Sequence, residues 1–193
     1  MAPKIYCIDG NIGVGKSTLL EELRSRGYKI FTEDLAEWEW CLANYYVDGV
    51  RWAFTLQMAI LSSMWRQFEQ VQESNEDVVF VERSPKSNLV FIENAMANGL
   101  LSQQEFDLFK RYHSLYGWAP YRIVKLVAPV DVCLDRVHTR GRSCESGIDK
   151  GYLQALDVLY DKVTGDDVVN VDVSKTSISN LADYVEQLVK TSR

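Results

Sequence analysis

Residues 10–17 read Gly10-Asn11-Ile12-Gly13-Val14-Gly15-Lys16-Ser17, which fits G-x-x-x-x-G-K-[ST]. The preceding run, Lys4-Ile5-Tyr6-Cys7-Ile8-Asp9, reads as a short buried strand. The following run, Lys16 to Arg26, carries Leu19, Leu20 and Leu23 at helical spacing and stops at Gly27. A strand, a glycine-rich turn and a helix N-terminus in that order make a phosphate-binding loop. Gly10, Gly13 and Gly15 let backbone N–H groups curl around phosphate oxygens, and the helix dipole adds partial positive charge. Lys16 is placed to reach the β- and γ-phosphates, Ser17 to hold Mg²⁺, and Thr18 to fix the turn. Asn11, Ile12 and Val14 complete the loop. The motif predicts a nucleoside triphosphate, ATP, as one ligand.

The chain of 193 residues suits one domain over 1–193, large enough to bury about 70% of its unfolded surface. Its 47% hydrophobic and 25% charged content is that of an ordinary soluble globular protein. A net charge of −6 argues against nonspecific nucleic-acid binding, which needs a basic face. Cys7, Cys41, Cys133 and Cys144 form no C-x-x-C pair and no zinc-type spacing, so free thiols in a reducing compartment are expected. The first strand begins within four residues, leaving no room for a signal peptide. No apolar run approaches the ~18 residues of a membrane span. A cytoplasmic protein with no membrane partner is the expectation.

Working outward, short apolar runs alternate with longer amphipathic ones, the pattern of a parallel sheet covered by helices. Strands are predicted near 4–9, 28–32, 78–82, 122–128 and 168–172. Helices are predicted near 16–26, 34–45, 50–73, 84–98, 103–116, 130–140, 149–163 and 178–191. Ser102-Gln103-Gln104-Glu105 has the form of a capping box. The long stripe of Trp52, Leu56, Ala59, Ile60, Met64 and Phe68 predicts a helix that is kinked or lies at a dimer interface.

Chemistry in such a sheet gathers at the carboxyl ends of the strands. Glu82 ends the apolar run Val78-Val79-Phe80-Val81, where a carboxylate facing Mg²⁺ belongs. Glu33, past the second strand, is placed to accept the proton of an attacking hydroxyl. Between Thr32 and Val50 lie Glu33, Asp34, Glu37, Glu39 and Asp48 with no Lys or Arg. If that segment lines the acceptor pocket, it repels an acceptor phosphate and suits a neutral hydroxyl. Trp38, Trp40, Tyr45 and Tyr46 in the same segment offer surfaces for a sugar and base. Arg136, Arg140 and Arg142 cluster past the fourth strand, with Gly141 breaking the helix into a loop able to close over a triphosphate.

These pieces resemble the deoxynucleoside kinase family over nearly the whole chain. The resemblance is carried by Gly10–Thr18, Thr32-Glu33 with Trp38, Tyr46-Val47-Asp48 with Trp52 and Gln57, and Glu82-Arg83-Ser84. It continues through Phe91-Ile92-Glu93-Asn94 and Arg136 with Arg140-Gly141-Arg142-Ser143-Cys144-Glu145. It implies that Glu33 activates the nucleoside 5′-OH with Arg83 close by, that Gln57 reads the base and that Phe91 stacks on it. Trp38 then closes the pocket, Ile60, Met64 and Asn88 fall beside the base, and Tyr46 and Glu145 hold the sugar 3′-OH. Arg136, Arg140 and Arg142 belong to a lid near 136–148, and the loop at Asp172-Val173-Ser174 lies against the adenine of the donor. The implied fold is an α/β three-layer sandwich, with a five-stranded parallel sheet in order 2-3-1-4-5, assembled as a homodimer through long helices.

The chain departs from the family pattern at Pro85-Lys86, and the span from Arg83 to Phe91 is one residue short, which shifts the helix lining the base pocket. Its small size suits a minimal, virus-type member. Met64 beside the base favours a pyrimidine deoxynucleoside, thymidine foremost. The alternative is a nucleoside monophosphate (thymidylate) kinase, which needs a basic residue beside the strand-2 acid; Thr32-Glu33-Asp34 has none. A regulatory GTPase needs an N-K-x-D motif, which is absent.

Overall fold

The computed structural model describes residues 2–142, 145 and 147–191. Ser143, Cys144 and Ser146 of the predicted lid lie outside the described residues, so the expectation of a free Cys144 does too. Cys7, Cys41 and Cys133 are free and buried.

The chain runs β1 (Lys4–Gly10), α1 (Lys16–Ser25), β2 (Lys29–Phe31), a 3-10 turn (Leu35–Glu37), α2 (Glu39–Val47) and α3 (Gly49–Gln72). It continues with β3 (Val78–Glu82), α4 (Pro85–Ala97), α5 (Gln103–Tyr116), β4 (Arg122–Val127), α6 (Val130–Arg140), α7 (Lys150–Tyr160), β5 (Val168–Asp172) and α8 (Ile178–Thr191). The five strands form one sheet in the order β2-β3-β1-β4-β5, and every pairing is parallel. The predicted α/β sandwich and strand order are therefore present.

Both faces of the sheet are covered, as parallel strands joined by helical crossovers require. Tyr6, Ile8, Phe80, Val124 and Leu126 pack with Leu19, Leu20 and Leu23 of α1 and Leu181 and Val185 of α8. The alternate residues Ile5, Cys7, Val79, Val81 and Ile123 pack with Val71 of α3 and Trp118. Side chains alternate between faces with the period of two that a strand imposes.

Element ends show where local chemistry overrides periodicity. The helix predicted over 34–45 is divided into the 3-10 turn and α2, because the turn closes on itself through Trp38 N–H to Leu35 O. Asp48 then ends α2 and starts α3, its carboxylate accepting from Arg51 N–H at 3.0 Å. The α3 helix runs unbroken for 24 residues. The helix predicted to reach 163 stops at Tyr160, where Lys125 Nζ donates to the carbonyls of Tyr160 and Val163 at 2.9 and 3.1 Å. The capping box at Ser102 and Glu105 forms as its sequence predicts.

Candidate active site

Three carboxyl-terminal strand ends converge on one cavity of about 700 Å³: the loop after β1, Glu33 beyond β2, and Glu82 closing β3. Its wall includes Gly13, Gly15, Lys16, Ser17 and Thr18 of the loop, together with Ile12 and Val14. Two glycines there have no substitute. A Cβ on Gly10 (φ +128°) would meet Leu126 O at 2.4 Å, and one on Gly13 (φ +77°) would meet Cys133 O at 2.3 Å. Asn11 faces away from the cavity wall and ties the loop to α7, its Nδ2 donating to Leu153 O at 2.9 Å.

Lys16 is folded back on the loop, its Nζ donating to Gly10 O at 3.1 Å and Asn11 O at 2.9 Å. Burial, then the Arg83 charge, pulls its ammonium down to about 7, against the opposing pull of Glu82, Glu33 and Asp9. Ser17 Oγ donates to Glu82 Oε1 at 3.1 Å. These two oxygen ligands fit Mg²⁺, a hard cation that takes one or two protein oxygens and completes its shell with phosphate and water. Among the described residues no group of three His, Cys, Asp or Glu side chains gathers into a metal cage.

Opposite the loop, Arg83 Nε donates to Glu33 Oε2 at 3.2 Å. Arg83 is the one non-glycine residue with positive φ among the described residues, at 63°. That conformation costs roughly 1–3 kcal/mol and persists only where the surroundings impose it. Its Nη1 is bound by Tyr160 Oη at 2.7 Å and Gly10 O at 3.3 Å, and its guanidinium lies 4.9 Å from the centre of the Phe91 ring. Burial opposes the Arg83 charge, but Tyr160, Glu33, Asp9 and Glu82 hold it above its ordinary value. Burial raises the Glu33 carboxyl above its ordinary value, with Arg83 pulling against that rise and Glu82 adding to it.

The rest of the cavity is amide, aromatic and apolar. Gln57 and Asn88 are buried and joined, Asn88 Nδ2 donating to Gln57 Oε1 at 3.0 Å. Asn88 Oδ1 is buried without a hydrogen-bond partner. Trp38, Tyr45, Tyr46, Ile60, Met64 and Phe91 line the same space. Trp40 instead stands 54% exposed, edge-on to Trp52. Of the acidic run, Glu33 and Glu39 line the cavity; Glu37 pairs with Arg66 at 2.6 Å, and Asp48 is spent on capping α3.

Arg136, Arg140 and Arg142 all reach the cavity. Arg136 Nη1 donates to Val14 O at 2.8 Å, while Arg140 grips Glu145 through Nε–Oε2 at 3.0 Å and Nη2–Oε1 at 2.6 Å. Arg142 Nη1 lies 3.6 Å from Glu145 Oε1. The Asp172 carboxylate turns onto Ser174, accepting from its N–H at 2.8 Å and its Oγ at 2.6 Å. Asp172 is not among the residues lining the cavity; Val173, Thr176 and Ile178 line it there instead. Sequence reasoning passed over Asp9, Ser87 and Tyr160, which read as strand or helix core. The signal for Asp9 was its carboxylate in an apolar strand: it accepts from Gly10 N–H, Ser84 N–H, Ser84 Oγ and Ser87 Oγ.

A glycine-rich loop, a carboxylate beside its serine and a carboxylate–arginine pair across one cleft define a phosphoryl-transfer enzyme of the P-loop kinase class. The chain belongs to the deoxynucleoside kinase family, whose model, described as "Deoxynucleoside kinase", matches residues 6–192. It is 27% identical over 187 residues to a Frog virus 3 protein that carries the same family name, covering 97% of this chain and 96% of that one. It is 34% identical over 169 residues to the deoxyguanosine kinase of Dictyostelium discoideum, covering 82% of this chain and 58% of that protein. Among solved structures, the deoxyadenosine kinase from M. mycoides superposes with a TM-score of 0.85 at 20% identity, covering 97% of this chain and 99% of that one. That likeness is one of fold.

Proposed function

We propose that the protein transfers the γ-phosphoryl group of Mg-ATP to the 5′-OH of a pyrimidine deoxynucleoside, thymidine foremost, giving the monophosphate for nucleotide salvage. The observation that carries this reading is the Glu33–Arg83 pair, facing Lys16 and Ser17 across one cavity with an amide-lined floor. The 5′-OH is a poor nucleophile until a base accepts its proton, and Glu33 is that base. Burial makes Glu33 a stronger base than an exposed glutamate, and Arg83 keeps it ionised and aimed.

The loop N–H groups, Lys16 and the lid arginines Arg136, Arg140 and Arg142 bind the triphosphate and meet the charge that develops during transfer. Ser17 and Glu82 would hold Mg²⁺, which would supply positive charge to offset that of the triphosphate. Asp172 supports the adenine end only through its backbone, because its side chain is engaged with Ser174. Gln57 reads the base edge, Phe91 and Trp38 enclose it, Ile60 and Met64 supply an apolar border, and Tyr46 with Glu145 takes the 3′-OH.

Base choice varies among relatives, one of which is named for deoxyguanosine. We further propose a homodimer through α3 and α5, supported by the exposed apolar side chains Leu108, Tyr112, Leu115 and Tyr116 on α5. The experiment is a rate comparison for the four deoxynucleosides and thymidine monophosphate with ATP and Mg²⁺. Phosphorylation of thymidine monophosphate alone would overturn the acceptor assignment.

A further inference from the structure

Arg83 has more hydrogen-bond structure behind it than an ion pair with Glu33 requires. Its Nη1 meets the hydroxyl of Tyr160 at 2.7 Å, and Tyr160 is the last residue of α7, 77 positions along the chain. Tyr160 is 4% exposed and is not among the residues lining the cavity. It stands behind the reacting groups, packed with Val90, Leu156 and Val163.

The hydroxyl has a direction. It accepts from Arg83, which can only donate, so its own proton points to Ser87 Oγ at 3.4 Å. Ser87 in turn donates to Asp9 Oδ1, and Asp9 sits one residue before the phosphate-binding loop. Burial pushes the Tyr160 phenol well above its ordinary value, so it stays a neutral hydroxyl able to fill both roles. Its carbonyl is fixed as well, by Lys125 Nζ at 2.9 Å. A chain of polar groups thus runs from Asp9 through Ser87 and Tyr160 to Arg83 and ends at Glu33. The Arg83 backbone has φ 63°, uncommon for a non-glycine residue, and its N–H donates to Ile8 O at 2.9 Å.

We propose that Tyr160 is a positioning residue for phosphoryl transfer: its hydroxyl, braced by Ser87 and Asp9, orients the Arg83 guanidinium so that Nε meets Glu33. The inference rests on Glu33 being the proton acceptor. Tyr160 acts through Arg83 and touches neither nucleoside nor triphosphate, so its loss changes kcat and spares KM.

The test is a double-mutant cycle of Tyr160→Phe and Glu33→Gln, with kcat, nucleoside KM and melting temperature measured for each protein. In the wild-type background, Tyr160→Phe lowers kcat by about tenfold and changes KM by less than about twofold. In the Glu33→Gln background the same change lowers kcat by less than about twofold, because there is no longer a base to aim. Wild-type kcat in Tyr160→Phe, or an equal loss in both backgrounds, overturns the inference; an equal loss means that the ring serves structure alone. If Tyr160→Phe does not fold, Ser87→Ala removes the brace and leaves the ring in place, with the same background dependence expected and an equal loss in both overturning it. Wild-type kcat in Glu33→Gln instead removes the general base itself and the inference with it. A crippled Glu33→Gln beside a neutral Tyr160→Phe removes only the role of Tyr160.

Discussion

Asn88 Nδ2 donates to Gln57 Oε1 across 3.0 Å, so the two amides of the pocket wall are a joined pair and not independent readers of a base. The bond occupies Gln57 Oε1 and leaves Gln57 Nε2 as the donor of the pair. Asn88 Oδ1 is buried without a partner and closed off from the cavity, so Asn88 acts on a base only through Gln57.

Base choice then turns on Gln57 and its apolar neighbours. Met64 and Ile60 favour the 5-methyl group of thymine through apolar contact. Thymidine and deoxycytidine are both expected to exceed deoxyadenosine and deoxyguanosine in kcat/KM. Asn88→Ala should lower kcat/KM for both pyrimidine deoxynucleosides by about tenfold, since Gln57 loses the donor that orients its amide. A purine deoxynucleoside at the top of the wild-type ranking refutes this account of the pocket and leaves phosphoryl transfer untouched.

Glu33→Gln keeps the shape of the side chain and removes its capacity to accept a proton. The expected loss in kcat is ~10²-fold or more, with nucleoside affinity mostly retained. The wild-type pH profile carries the same signature. The base works ionised, and burial raises its carboxyl above the usual glutamate range, so kcat/KM falls as pH drops through that raised value. Arg83 pulls the other way, so Arg83→Met should move the acidic limb to still higher pH. An acidic limb that stays put in Arg83→Met contradicts the coupling.

How far these roles were legible in the sequence depends on how local their parts are. The phosphate loop occupies consecutive residues, and its glycines, lysine and serine carry the whole geometry in one line of text. Alternating element types gave the parallel sheet, and its strand order came from the family resemblance. Arg83 could be placed beside Glu33 only by resemblance, because the pair spans 50 positions and the Arg83 bond to Tyr160 spans 77. Tyr160 itself sits where helical spacing calls for a core residue, and it is one; only its hydroxyl does anything further. The loop at Asp172 was placed beside the adenine of the donor by resemblance. The hydrogen bonds of the Asp172 carboxylate to Ser174, two residues on, follow a local Asp–Ser turn pattern that outranked that placement.

Lys16→Ala should abolish turnover without lowering the melting temperature of the ligand-free protein. The ammonium is buried and donates to the carbonyls of Gly10 and Asn11, so its removal relieves a desolvation cost. Ser17→Ala should raise the Mg²⁺ concentration needed for half-maximal rate, since it takes away the hydroxyl that meets Glu82 at 3.1 Å. Substantial activity in Lys16→Ala with a normal melting temperature would show that the triphosphate lies elsewhere.

Assembly is tested on α5, where Leu115 is 71% exposed with Tyr116 and Tyr112 beside it. An isolated apolar residue on a surface is ordinary, but a cluster along one helix face is the composition of an interface. Sedimentation should give a dimer for the wild type and a monomer for Leu115→Glu, with the fold intact by circular dichroism. A monomeric wild type at micromolar concentration rules the interface out.

The sugar contact is the last to be tested. Glu145 is held in both oxygens by Arg140, yet an ionised carboxylate offers about four lone-pair sites, so the ion pair leaves room for a hydroxyl. Tyr46 lines the same cavity, packed beside Gly147. If both groups hold the 3′-OH, a 3′-deoxynucleoside leaves them unmatched at a cost of about 1–3 kcal/mol, or roughly 10- to 100-fold in kcat/KM. Tyr46→Phe should shrink that discrimination, because the variant loses activity on the natural sugar and little on the 3′-deoxy one. Glu145→Gln should shrink it too, and should also raise the KM for ATP by releasing Arg140 from the orientation the ion pair gives it. Equal losses on both sugars in Tyr46→Phe would mean that the tyrosine packs against the ligand without reading its hydroxyl.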